Sequence, residues 1–397
     1  MDGLIFLGGA GAIVALALLA FEWQYRTRWG NVMELDWGLC QFEVYEPSHY
    51  QLQVEFTAQN QTSHNEVFLL EVRPHITLLS RGSLDGIKTK TLVVAKHPDS
   101  PSRQDGYWES YIVKPQKSTQ LEVAIDIRGE QLTELQSLWL RVEYVIYGRA
   151  GREVKNRHCI IPLYFPDPNP SEPWRPSARA DVLPIRTHLL STSDTPIEVL
   201  KRYVVGFAQP GDIVTIAESP IAIMQGRFIH PTDVRPSWLA KRLCYYFYST
   251  SSLSTACGMQ TLLQESGAWR VVIAMLIGGL AKVIGKRGVF YQLAGEQARL
   301  IDDVTGTLPP YDQFIVLGPS QPQAVVELIK RETGLEAAIV DVNDLKQVKV
   351  LAHTSGVSAD LLNDALVHNP AGNAAEQTPI VLIRPHDAPE HRNTPQE

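Results

Sequence analysis

The sequence predicts a mixed α+β and α/β chain in three parts: an N-terminal transmembrane helix, an all-β sandwich-like domain and a C-terminal α/β domain. Three observations carry that expectation. Gly3 to Phe21 is an unbroken uncharged stretch, residues from about Glu34 to Phe165 form short alternating runs, and helix and strand patterns alternate beyond Asp181. The resulting segments are 1–30 for the anchor, 34–166 for the β-rich domain, 167–180 for a linker, 181–385 for the α/β domain and 386–397 for a disordered tail.

The chain has 397 residues, enough for two domains that each bury a core. It is 44% hydrophobic and 20% charged, a globular composition. A formal net charge of −7 and the lack of a dense Lys/Arg run argue against nucleic acid as a partner. The four cysteines, Cys40, Cys159, Cys244 and Cys257, include no CxxC pair and no histidine at ligand spacing. Cys40 and Cys159 lie near the two ends of the β-rich region and could approach each other. The expectation is nonetheless four free, mostly buried thiols.

About 20 apolar residues span a bilayer core, so the stretch Gly3 to Phe21 is long enough. Only Asp2 precedes it as a charged side chain, which does not suit a signal peptide. Trp23, Tyr25, Arg26 and Arg28 follow it as an aromatic belt and a basic anchor. The positive-inside bias then puts the bulk of the chain on the cytoplasmic side of a membrane crossed once. Gly8, Gly11, Ala12 and Ala15 offer a small-residue stripe, which common span composition also explains. A second apolar run, Val271 to Ala281, is too short to span and reads as a buried helix of a soluble core.

Strands are expected at Gln51 to Thr57, Glu66 to Val72, Lys90 to Ala95, Gln120 to Ile127 and Leu138 to Tyr147, within an antiparallel sandwich. His49, His64, His75 and His97 share no spacing and read as surface or turn residues. This domain carries no visible chemistry, so its expected role is spacing or contact with a protein partner. Asp167 to Pro176 is proline-rich and should be extended.

In the last domain, Thr195 to Val205 reads as a helix capped by Asp194 or Thr195. Gln209 to Asp212 turns into a strand at Ile213 to Ala217. A second helix, Gln323 to Thr333, ends at Gly334 and feeds a buried strand, Ala337 to Val340. That strand closes on Asp341, Asn343 and Asp344, a place where α/β sheets gather ligands. Asp302 and Asp303 form another acidic pair. Carboxylates from two loops can hold Mg²⁺ or Mn²⁺, although aspartates also serve as turn formers and caps. No Walker or Rossmann glycine motif is present, and Gly278-Gly279 and the Gly285–Gly288 run fit helix packing and a turn.

With those residues in place, the order of segments resembles the coenzyme F(420)-0:L-glutamate ligase (gamma-glutamyl ligase) family. Four stretches carry the resemblance: PGDIVTIAESPIAIMQGRFI (Pro210 to Ile229), IDDVTGTLPPYDQFIVLGP (Ile301 to Pro319), AAIVDVNDL (Ala337 to Leu345) and NPAGNAAEQTPIVLIRP (Asn369 to Pro385). The resemblance implies that Asp302 or Asp303 and Asp341 ligate a divalent metal, Mg or Mn. It implies that Gly226 and Arg227, with Asn343 and Asp344, lie near GTP or another nucleotide or the substrate. It further implies amide formation through an acyl phosphate, and a homodimer. No catalytic residue is assigned. Ala222-Ile223 stands where the family has Ser-Lys, and Gln225 where it has glutamate. Trp238 to Ile284 has no clear family counterpart. The competing expectation is a membrane scaffold or assembly factor that keeps the ligase fold.

Overall fold

The computed structural model describes residues 14–25, 30–103, 105–167, 173–286, 288–303, 308–343, 347–372 and 376–386. The chain divides into two compact units, one built mainly from residues up to Cys159 and one from Ile160 onward. An exposed apolar helix, α1 (Val14–Tyr25), precedes the first unit. Among the described residues no single helix is long and apolar enough to cross a membrane. Most of the expected span, including Gly8, Gly11 and Ala12, lies outside the described residues.

The first unit holds β1 (Met33–Glu46), β2 (His49–Asn60), β3 (Val67–Ser80), β4 (Lys88–Lys96), β5 (Tyr111–Val113), β6 (Ser118–Arg128), β7 (Leu135–Gly148) and β8 (Gly151–Pro162). Two four-stranded sheets result, with orders β1-β2-β6-β4 and β5-β3-β7-β8. Strict alternation in β2 and β6 buries Leu52, Val54, Phe56 and Ala58 with Leu121, Val123, Ile125 and Ile127. The expected strands are all present, each somewhat longer than its apolar pattern. Two of the four histidines, His49 and His97, are more enclosed than expected. His97 is half-buried, stacked on Tyr111 with centroids 4.0 Å apart, and His49 contacts Asp126 at 2.8 Å. His64 and His75 are exposed. The four cysteines are free, with Cys159 and Cys244 buried and the other two half-buried.

The second unit runs in chain order β9 (Arg175–Pro176), β10 (Ala180–Ile185), α2 (Pro196–Tyr203), β11 (Ile213–Ala217), α3 (Glu218–Met224) and β12 (Phe228–Ile229). A helical insert follows: α4 (Ala240–Leu243), α5 (Ala256–Ser266), α6 (Ala268–Val283), α7 (Val289–Ala294) and α8 (Gln297–Leu300). The chain closes with β13 (Asp302–Asp303), β14 (Ile315–Val316), α9 (Pro322–Thr333), β15 (Glu336–Asn343), β16 (Gln347–His353), α10 (Ala359–Leu366) and β17 (Ile380–Pro385).

The main sheet has the order β16-β15-β11-β17-β10-β9, with β11 parallel to β15 and every other neighbour antiparallel. Its strands are buried on both faces, so apolar residues point both ways. Val214, Ile216, Ala337, Ile339 and Leu382 meet α2 and α9 on one side. Ile213, Ala338, Val340, Val381 and Ile383 meet α10 on the other. Thr195 caps α2 by accepting from the Glu198 amide, and Gly334 ends α9 at a φ of +77°.

Two sequence expectations change here. Asp167 to Pro176 ends in a short strand, β9, that pairs with β10. Val271 to Ala281 is helical but not buried: within α6 only Val271, Ala274 and Ala281 are covered. Apolar composition and a length too short to span cannot distinguish a core helix from one with an open apolar face.

The Gly211-Asp212 turn is held by a charge pair between buried Asp212 and half-buried Arg384. Both Asp212 carboxylate oxygens accept from Arg384 at 2.8 Å, and the Arg384 guanidinium lies over the Trp174 ring at 4.3 Å. Removing one partner strands the other charge. Arg384→Ala is therefore expected to destabilise the fold by about 2–4 kcal/mol. Denaturant unfolding checks this, and a midpoint equal to that of the parent protein refutes it.

Candidate functional site

The parallel pairing of β11 and β15 builds the site. Ala217 pairs with Val340, so the next step along both strands brings Glu218 and Asp341 to the same end of the sheet. Glu218 opens α3 directly from β11. Asp341 still belongs to β15, with Lys349 of β16 opposite it. Asp302 comes from β13, which pairs with β14. Three acidic residues far apart in sequence thus converge electrostatically.

The environment of Glu218 and of Asp302 opposes ionisation. Burial pushes the Glu218 carboxyl up to about 9, with the charges of Asp341 and Asp302 adding to the effect and Lys349 opposing it. Burial, and then Asp341, raise Asp302 to about 6. Glu218 Oε2 is buried and has no hydrogen-bond partner. Among the described residues no three His, Cys, Asp or Glu side chains lie close enough to form a complete metal cage. The donor chemistry nonetheless fits a hard cation, since Mg²⁺ or Mn²⁺ needs only one or two carboxylates beside water and substrate oxygens. A cation would also satisfy the orphaned Glu218 oxygen.

A cavity of about 200 Å³ adjoins this acidic end, lined by Ala217, Ser219, Pro220 and Ile223, which flank Glu218 in sequence. The loop from Thr187 to Leu190, Leu308 and Tyr311, and the segment from Gln377 to Pro379 complete its wall. Tyr311 donates to the Leu190 carbonyl at 2.8 Å and so ties two of these walls together. His188 also lines the cavity but is committed elsewhere. Its ring nitrogens meet Tyr203 Oη at 2.8 Å and Asp194 Oδ1 at 2.9 Å, which makes it a brace for the loop rather than a base.

The sequence-predicted residues divide. Asp302 and Asp341 lie on strands rather than in two loops, and the charge of Asp341 acts on Asp302. Asp303 and Asn343 also lie in strands, and Asp344 falls outside the described residues. Arg227 is engaged: its Nε donates to the Gly318 carbonyl at 2.7 Å and its terminal nitrogen meets Glu265 at 2.7 Å. It lines a separate shallow depression with Gln225 and Ser320. Gly226, at a φ of +70°, forms the turn before it. Sequence reasoning missed Glu218. The available signal was an acidic residue directly after a buried strand, the same pattern that marked Asp341.

Comparison with known proteins bears on the other unit. Residues 34–165 match the family model described as F420-0:gamma-glutamyl ligase, N-terminal Ig-like domain. The first unit is thus an Ig-like domain of the type that ligase family carries, while the match covers only about a third of the chain. No curated protein matches. Among solved structures, the GAE domain of GGA2p from Saccharomyces cerevisiae is 8% identical, with a TM-score of 0.20, covering 34% of this chain and 91% of that one. A FixG-related protein from Vibrio parahaemolyticus is 7% identical, with a TM-score of 0.17, covering 33% and 94%. Scores this low support no inference.

The Glu218 environment makes a pH prediction. The folded carboxyl holds its proton up to about 9 whereas the unfolded one releases it in the ordinary carboxylate range. Stability without metal should therefore fall as pH rises through that window. Glu218→Gln should flatten this slope and stabilise the chelator-treated protein by on the order of 1–3 kcal/mol near pH 8, with little effect near pH 5. Thermal unfolding at the two pH values decides it, and an unchanged slope counts against a protonated Glu218.

Proposed function

We propose that this chain is a membrane-anchored, gamma-glutamyl-ligase-like protein whose C-terminal unit forms an amide from an acid substrate, using a divalent metal and a nucleotide. The observation that carries the reading is the convergence of Glu218, Asp302 and Asp341 at one end of the parallel strand pair, beside a cavity. The family match of the N-terminal Ig-like domain supports it. So does the resemblance of the C-terminal segments to the same ligases.

Asp302 and Asp341 would hold Mg²⁺ or Mn²⁺, with water and substrate oxygens completing the set. When bound, such a metal neutralises phosphate charge and orders the transferring group. The chain's own contribution is positional. Lys349 stands opposite Asp341 and balances part of the acidic charge. Ile223, Leu308 and Tyr311 line part of the cavity, and an apolar wall there would suit an acyl phosphate that must be attacked by an amine before water. Gly3 to Phe21 would anchor the chain, with the bulk on the cytoplasmic side.

A second reading has its own observation. Ile223 lines the cavity where the ligases carry a lysine, and Ala222 and Ile223 are buried in α3. An apolar wall in place of a phosphate-binding cation favours a scaffold that retains the fold for a ligand or protein partner.

Titration of the full chain with GTP and ATP, with and without Mn²⁺, separates the two. The ligase reading expects metal-dependent nucleotide binding, weakened at least about tenfold by Asp341→Ala, a loss near 1.4 kcal/mol. No nucleotide binding by a folded chain, or binding indifferent to that substitution, sinks it.

A further inference from the structure

The helical insert carries an apolar surface that the fold does not use. α5 and α6 meet at a bend of 111° at Gly267. Along α6, Val271, Ala274, Gly278 and Ala281 form one stripe at helical spacing, turned inward. Gly278 permits this: a Cβ there would stand 2.9 Å from Phe290 Cβ, so α6 rests closely on α7. The opposite stripe is apolar as well and fully open. Trp269 is 82% exposed, Leu276 64%, Leu280 71% and Val283 86%, with Ile273 and Ile277 between them. The same insert leaves Trp238, Tyr245, Tyr246 and Tyr248 exposed. Scattered exposed apolar residues are ordinary, but a continuous stripe of this kind marks a contact surface.

Charge indicates which contact. From Ala240 to Ala294 the chain carries six Lys or Arg residues and one acidic residue, Glu265, in a protein whose total is −7. Glu265 is neutralised by Arg227 at 2.7 Å. Arg242 lies over the Trp238 ring at 3.9 Å, and Lys282 lies 5.3 Å from the centroid of the Tyr248 ring. An aliphatic stripe flanked by Trp, Tyr and long basic side chains is the composition of a helix seated at a lipid interface, where apolar groups enter and cations stay with headgroups. A second copy of the chain fits less well, because self-pairing would set this basic surplus against itself.

We infer that α6 and the aromatic residues around it form a docking surface for an anionic lipid bilayer, lying in the membrane plane. The bend after α5 and the 16-residue length of α6 suit lying in that plane rather than crossing. This contact is independent of the Gly3 to Phe21 anchor and of any ligase activity, and it would hold the second unit at the membrane surface.

The test uses the full chain with Leu276→Cys carrying an environment-sensitive fluorophore, beside the unsubstituted protein labelled in parallel. Leu276 is open, so the substitution leaves the core intact. In phosphatidylcholine vesicles containing phosphatidylglycerol, nitroxide placed near the lipid headgroups should remove more than about half of the emission, as expected for seating ~5–10 Å deep. Lys282→Glu with Lys286→Glu should abolish that quenching. Three results overturn the inference. One is a label that stays as open to aqueous iodide as in lipid-free protein. Another is equal lipid quenching in purely zwitterionic vesicles. The third is iodide shielding without lipid quenching that grows with protein concentration, which would mean that a second copy covers the stripe.

Discussion

The parallel register between β11 and β15 is the constraint on which the second unit depends. Parallel neighbours cannot be joined by a tight turn, so the chain must leave the sheet after Ala217 and return at Glu336. That excursion is where β12 to β14, the helical insert and α9 are accommodated. The same register places residues 218 and 341 together at the carboxyl ends of the strands, where open α/β sheets receive ligands. Both residues are acidic in this chain. Fold and candidate site are consequences of one pairing.

A long crossover costs little extra chain entropy as it lengthens, which leaves it free to acquire structure of its own. The insert has its own buried cluster, in which Met259, Leu262, Val271, Ala274 and Phe290 meet Ile315 and Leu317 from around β14. Because β14 pairs with both β12 and β13, the strand that carries Asp302 is braced by the insert's core. The open stripe of α6 and the acidic site therefore share a support. One face of the insert steadies the candidate ligand, and the other is left apolar toward the outside.

Much of the backbone was legible because its signals are local. Period-2 alternation found the strands of the Ig-like unit, and Thr195, Pro196 and Gly334 bounded α2 and α9 by capping chemistry that needs no tertiary context. Asp302 and Asp341 were legible for a related reason, as acidic residues beside apolar strands. Glu218 follows the buried strand β11 in the same way and was overlooked, and its nearness to Asp341 emerges only when β15 pairs with β11. The state of α6 was hidden too: Val271 to Ala281 reads the same whether both faces are covered or one is, and only the packing of Gly278 on Phe290 shows which side is inward. His188 illustrates the converse. A lone histidine gives no signal in sequence, and its two partners assign it a structural part.

The charge at the strand end gives the strongest reason to think of a cation rather than an anion alone. Ile223 presents an apolar side chain to the cavity beside this end of the sheet. Glu218, buried and without a partner for one oxygen, adds a potential negative charge beside Asp302 and Asp341. Lys349 is a cation whose charge opposes this surplus at Glu218. A site so composed repels a bare phosphate and, without a counterion, favours the protonated form of Glu218. A divalent metal reverses both conditions, since it lets the carboxylates ionise and presents positive charge to a phosphate. If nucleotide enters here, the electrostatics require that metal accompany it or precede it.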